Sequence, residues 1–336
     1  MSPVYRPPLP KPAGISGVRA TYPSTTGSEY ARLQAVVLNN QGAGYPWIKA
    51  ATHIGGWSQI EGVQNTFNWA TFDTPISQWW AAGKKSGLLV CPTSYHSNTW
   101  TPSWYSSSNP MFTADVGLVP VFWDTQFTNA WHAFLTQVAE RYGNDERVDY
   151  IRTGFIGFES YANTSVTPEM TADGYTVAIW QAAVEAMAQF CANLSPKFQF
   201  SINFSNYASK DPPFPVATGA YAATLGMGLV SAGLQVGDLT ASLPSNNFLE
   251  VSANEQTLVE LGQQSVSRFE LPGQSFGQHS GSLAACVPFA QSKGTQFIEF
   301  FTKDLLECFD PTDANYTLAA QNGWPDAVIA FARGTN

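Results

Sequence analysis

The chain has 336 residues, of which 44% are hydrophobic and only 12% charged, with a formal net charge of −9. That length suits one α/β barrel and supplies ample apolar material for a large core. An acidic balance with no run of Lys or Arg excludes a nucleic-acid partner, and no stretch approaches 18 consecutive apolar residues, so no membrane span is expected. Aromatics reach 14%, with 11 Trp. Trp and Tyr set among Ser, Thr, Asn and Gln, with little charge, suit a neutral polar ligand. A sugar fits, because rings stack on its C–H faces and amides bind its hydroxyls.

The N-terminus, MSPVYRPPLPKPAGISG, carries five prolines in its first twelve residues and no apolar signal-peptide core. Residues 1–16 therefore read as an extended arm, and 17–336 as the folded unit. The expected location is extracellular or virion-associated, with an export signal removed or another route out. Cys91, Cys191, Cys286 and Cys308 lie far apart with no CxxC spacing, so neither a metal nor a redox motif is expected. Cys91 and Cys191 read as buried thiols; Cys286 and Cys308 are left as either a pair or two thiols. No metal or organic cofactor is expected. The sequence leaves the oligomeric state open.

From residue 17 onward, short apolar runs alternate with amphipathic helical stretches, the pattern of repeated βα units. An indistinct first strand falls near 17–22 and a clear one at 48–54. The segment FDTPISQWWAAGKK predicts a helix capped by Asp73 or Thr74, with Pro75 in its first turn. SGLLVCPTSY is a continuous apolar strand, as expected of one buried on both faces. A long irregular stretch from His96 to Trp123 follows, of a length usually reserved for function.

DTQFTNAWHAFLTQVAERYG is the strongest helix. Phe127, Trp131, Phe134, Leu135, Val138 and Tyr142 line one face, and Gly143 stops it. VDYIRTGFIGFES is a strand of residues 148–158 running into Glu159. A helix over 171–194 and the alternating strand FQFSINFSN come next. The spacing then predicts a helix over 217–232, a weak strand near 238–243 and a helix over 254–265. SRFELPGQ is a short strand ending on Glu270; a helix over 281–293 and a strand over 295–301 complete the pattern. The expected architecture is a single-domain α/β fold, a (β/α)8 TIM barrel.

In a parallel barrel, chemistry collects at the C-terminal ends of the strands. Glu159 ends the fourth strand and Glu270 the seventh, on opposite sides of the mouth, so their side chains can converge across it. Glycosidic hydrolysis needs such a pair: one carboxyl protonates the leaving oxygen, and the other attacks the anomeric carbon or activates water. Glu299, in the next strand, is the secondary candidate and reads as structural. His53, Trp57, His96, Asn98, Trp100, Trp104, Asn206 and Gln274 fall at strand ends or on the loops around the mouth, and are the candidate sugar-binding residues.

Six segments spread over residues 57–160 carry a family resemblance: WSQIEGVQNTFNWATFD (57–73), AAGKKSGLLV (81–90), TPSWY (101–105), VPVFWD (119–124), WHAFLTQVAERYG (131–143) and VDYIRTGFIGFES (148–160). These resemble clan A glycoside hydrolases, especially the family 42 β-galactosidase type. Gly62 stands where relatives carry Pro, and Phe158 precedes Glu159 where the clan has Asn. The resemblance implies a retaining double displacement, with the acid/base matched by Glu159 and the nucleophile, by strand order, by Glu270. It also implies a structural role for Glu61. The competing class is a non-catalytic carbohydrate-binding barrel, such as an adhesin or phage tail component. A third reading keeps the enzyme but makes it a virion-borne depolymerase of a bacterial surface glycan.

Overall fold

The computed structural model describes residues 17–21, 31–35, 47–93, 100–114, 117–153, 167–201, 213–232, 267–271, 283–292 and 296–334. Ten strands run in chain order: β1 Gly17–Thr21, β2 Ile48–Gly56, β3 Lys85–Cys91, β4 Met111–Ala114, β5 Gly117–Pro120, β6 Val148–Thr153, β7 Phe198–Ser201, β8 Gly228–Ala232, β9 Ser267–Leu271 and β10 Phe297–Phe301. Eight of them close a barrel in the order β1-β10-β9-β8-β7-β6-β3-β2, and every barrel ladder is parallel. This is the (β/α)8 fold expected from the alternating pattern, in an α/β chain. β6 and β9 are its fourth and seventh strands, which matches the strand count made from the sequence.

The strands read as apolar runs because both faces are covered. Ile48, Leu88, Val90, Ile151, Phe198, Phe200, Ile298 and Phe300 belong to one continuous core shared with the helices. Helix Thr125–Tyr142 contributes Phe127, Trp131, Phe134, Leu135, Val138 and Tyr142 to that core, the face its spacing predicts. Asp124 caps it by accepting from the Gln126 N–H at 2.7 Å. Gly143 ends it with φ −60°, so its role is not left-handed backbone. A Cβ there would lie 2.4 Å from the Ala139 carbonyl oxygen, and glycine is required for that close approach.

Several boundaries move. The helix expected in FDTPISQWWAAGKK spans Ala70–Ala81, beginning ahead of Asp73, and Pro75 falls inside it. The Phe72 and Asp73 N–H groups both donate to the Trp69 carbonyl, which starts the turn early. Asp73 instead binds Arg141 and accepts from the Tyr142 hydroxyl at 2.9 Å. The predicted 171–194 helix is two helices, Pro168–Ala172 and Val177–Leu194, each capped by a threonine, Thr167 and Thr176. Gly174, with φ 82°, turns the chain between them.

The largest correction concerns the sixth barrel strand. The helix predicted over 217–232 ends at Thr224, Gly226 adopts φ 76°, and Gly228–Ala232 becomes the strand. The weak strand near 238–243 and the helix over 254–265 lie outside the described residues, as does the 1–16 arm. The stretch from His96 to Trp123 contains a two-stranded antiparallel hairpin, β4–β5, which the sequence reading treated as irregular. All four cysteines are buried and none is in a disulfide, so Cys286 and Cys308 do not pair. No helix among the described residues is long and apolar enough to cross a membrane.

Candidate active site

The described part of the barrel mouth is built from the segments following β2, β3 and β10. Trp57 opens a short helix directly after β2 and is fully buried. Its ring packs against Trp104, Tyr105, Phe127, Trp131 and Phe134, at centroid distances of 5.4, 5.3, 6.3, 5.3 and 6.1 Å. Trp57 Nε1 donates to Glu61 Oε2 at 2.8 Å, the Asn65 N–H donates to Glu61 Oε1 at 2.8 Å, and Trp104 Nε1 donates to the Glu61 carbonyl at 2.9 Å. Glu61 therefore ties three parts of the rim together, a structural role of the kind the resemblance implies.

Two expectations fail here for one reason. Trp57 is a core residue with no face left for a sugar. His53 is also buried; it points outward from β2, its Nε2 is 3.0 Å from Ser86 Oγ and its ring faces Trp79. Alternation along β2 sends Thr52 into the barrel, so its neighbour His53 must face the helix layer. Burial pushes the His53 pKa down to about 3, so it is a neutral core histidine.

Trp104 is half-buried and anchors a loop through its indole N–H. Trp100 is half-buried and rests on the C-terminal end of β2, where a Cβ on Gly56 would lie 2.3 Å from its ring. Trp100 is thus the candidate sugar platform whose described position is at the mouth itself. Glu159, His96, Asn98, Asn206 and Gln274 lie outside the described residues. For Glu270 the backbone alone is described: it is the fourth residue of β9, in register with Glu299 on β10 and Ala232 on β8.

Beneath the mouth lies a polar layer that sequence reasoning missed except for Glu299. Glu299 is fully buried on β10. Its Oε1 accepts from the hydroxyls of Thr52 on β2 and Tyr150 on β6, and its Oε2 lies 3.7 Å from Arg152 Nη2. Arg152 is itself fully buried. Tyr150 reaches across the interior because β3 carries Gly87, where a Cβ would sit 2.2 Å from the phenol ring. Gln199 on β7, 1% exposed, is in register with both Arg152 and Gly228. The signal was present: Arg152 and Gln199 interrupt apolar strands at the positions whose alternation faces inward. Burying an Arg–Glu pair carries a large desolvation cost, offset only by close pairing and further hydrogen bonds. Glu299 so engaged has its carboxylate taken up by Thr52, Tyr150 and Arg152.

Comparison with known proteins bears on the fold. No family model matches the chain, and no curated protein matches it. Solved structures do. The catalytic domain of β-amylase from Paenibacillus polymyxa superposes with a TM-score of 0.63 at 11% identity, covering 93% of this chain and 98% of that one. The endo-1,4-β-mannanase of Rhizomucor miehei gives 0.56 at 8% identity, covering 97% and 99%. A β-galactosidase from Marinomonas ef1 gives 0.53 at 12% identity, covering 84% of this chain and 53% of that one. The chain is similar in fold to these glycoside hydrolases, which agrees with the class of protein its residues 57–160 resemble.

Proposed function

We propose that this barrel is a retaining glycoside hydrolase acting on a poly- or oligosaccharide, with Glu159 as acid/base and Glu270 as nucleophile. The observation that carries the reading is strand position. Glu270 lies at the C-terminal end of the seventh barrel strand, and residue 159 follows the fourth, β6, the two places from which side chains meet across a barrel mouth. The glycoside hydrolases sharing this fold at full length support the same reading.

In the mechanism, Glu159 donates its proton to the leaving oxygen while Glu270 attacks the anomeric carbon. Glu159, now ionised, then takes a proton from the water that releases the sugar. The retaining geometry requires the two carboxyls ~5–5.5 Å apart; an inverting pair needs ~6.5–9.5 Å. Trp100 at the rim offers a stacking face for a sugar ring. We place the enzyme outside the cell or on a virion, where bacterial surface glycan is one substrate of the right chemistry. Proton NMR of the anomeric signal tests the mechanism: the first product formed carries the configuration of the bond cleaved. Product of opposite configuration would make the pair inverting.

A further inference from the structure

Among the described residues of the polar layer inside the barrel, the bonding of Gln199 is incomplete. Gln199 is 1% exposed, yet neither its Oε1 nor its Nε2 has a hydrogen-bond partner among the described residues. An unmade hydrogen bond on a buried amide is costly, and such groups are normally satisfied by protein, water or ligand. The fold also makes room for this side chain: Gly228 stands beside it on β8, and a Cβ there would lie 3.1 Å from Gln199 Cδ. Phe198 and Phe200, its neighbours on β7, face the helix layer within the apolar core, so Gln199 projects into the barrel. There it shares a layer with Arg152, Tyr150, Thr52 and Glu299, where Arg152 and Glu299 offset each other.

We propose that Gln199 is a substrate-binding residue at the floor of the cleft, its amide reading two adjacent hydroxyls of a neutral sugar. The carbonyl oxygen accepts from one hydroxyl and the NH2 group donates to the next, an arrangement a neutral amide provides and a charged group does not. Beside it, Arg152 and Glu299 are paired with each other at 3.7 Å. This inference rests on the hydrolase reading for its substrate class, but its binding component is separable from hydrolysis.

The test compares wild type with Gln199→Leu and Gln199→Glu, reading thermal midpoint, kcat/KM on whichever glycan is cleaved, and the midpoint shift caused by glucose, galactose, mannose and xylose. The expected result is a Gln199→Leu midpoint equal to or above wild type, because an unsatisfied amide is removed. Its kcat/KM falls at least tenfold and the monosaccharide shift is lost. A deoxy substrate lacking one of the two hydroxyls should then cost wild type a similar factor and the Leu variant little more. Gln199→Glu, close in shape, should keep the fold and lose affinity. Activity of Gln199→Leu within twofold of wild type would overturn the proposal, as would a lowered midpoint with proportionate loss of activity. So would the absence of any sugar-dependent midpoint shift together with the absence of hydrolysis in wild type. Sugar-dependent stabilisation abolished in Gln199→Leu, in a wild type that cleaves no glycan, would sink the hydrolase reading and leave Gln199 as a ligand-binding residue.

Discussion

His53 shows how a residue type that suggests catalysis is assigned to the core by strand alternation. Its neutral form is the one the fold accepts, and its pKa falls from 6.5 to about 3 through burial. Below pH 6.5 the unfolded chain binds a proton that the folded chain refuses, so stability declines as the pH drops toward 3 and is unaffected above 6.5. The decline is up to about 1.4 kcal/mol per pH unit from this group. His132, whose pKa burial also lowers, adds to the same slope. Urea midpoints of His53→Gln measured between pH 7 and 4 should therefore fall less steeply than those of wild type. Equal slopes would mean that His53 is protonated in the folded state. Gly87 offers a steric counterpart: Gly87→Ala places a methyl 2.2 Å from the Tyr150 ring and should cost on the order of 2 kcal/mol or more in the same assay.

Among the elements, the rim after β2 is the best described. Glu61 receives two donors on its carboxylate and one on its carbonyl. Glu61→Ala strands the buried Trp57 indole N–H and releases the turn at Asn65, whose φ is 59°. The expected loss is about 3 kcal/mol, with loosened packing of Trp104 visible as a red-shifted tryptophan emission. An unchanged midpoint would remove Glu61 from this role. Much at this scale was legible in the sequence. The Thr125–Tyr142 helix carries its capping aspartate and its apolar face in plain order, and five of the eight barrel strands stood out as apolar runs with polar ends. The sixth strand was not legible, because GLVSA is short and equally compatible with continuing the preceding helix; only the positive φ at Gly226 separates them. Trp57 misled for a related reason: its place after a strand suggested the mouth, whereas a four-residue helix turns it inward onto aromatic neighbours distant in sequence.

At the scale of the whole molecule, the barrel was readable because its periodicity repeats. The contents of its interior were not, because they depend on which strands meet. Arg152 and Glu299 are 147 residues apart in sequence and come together only through closure of the sheet. Breaking that pair is expected to be severe: Arg152→Met removes the cation paired with the buried Glu299, costing about 3–5 kcal/mol. Glu299→Gln, which keeps the shape and the contacts of Thr52 and Tyr150, should cost less. A thermal midpoint series across the two variants and their double checks this, and the double variant should be more stable than Arg152→Met alone. Additive losses would mean that the two groups do not act as a pair.

The central claim, a glycoside hydrolase working through Glu159 and Glu270, is tested most directly by reducing-sugar release from plant, algal and bacterial-envelope polysaccharides. Wild type is compared with Glu159→Gln, Glu270→Gln and Glu299→Gln, each first shown to be folded by its thermal midpoint. The account predicts release by wild type, a loss of at least a thousandfold in the first two variants, and substantial activity in the third. Release that survives Glu270→Gln and vanishes in Glu299→Gln would contradict it by moving the nucleophile one strand along; no release from any glycan, with sugars still bound, would make this a carbohydrate-binding barrel instead.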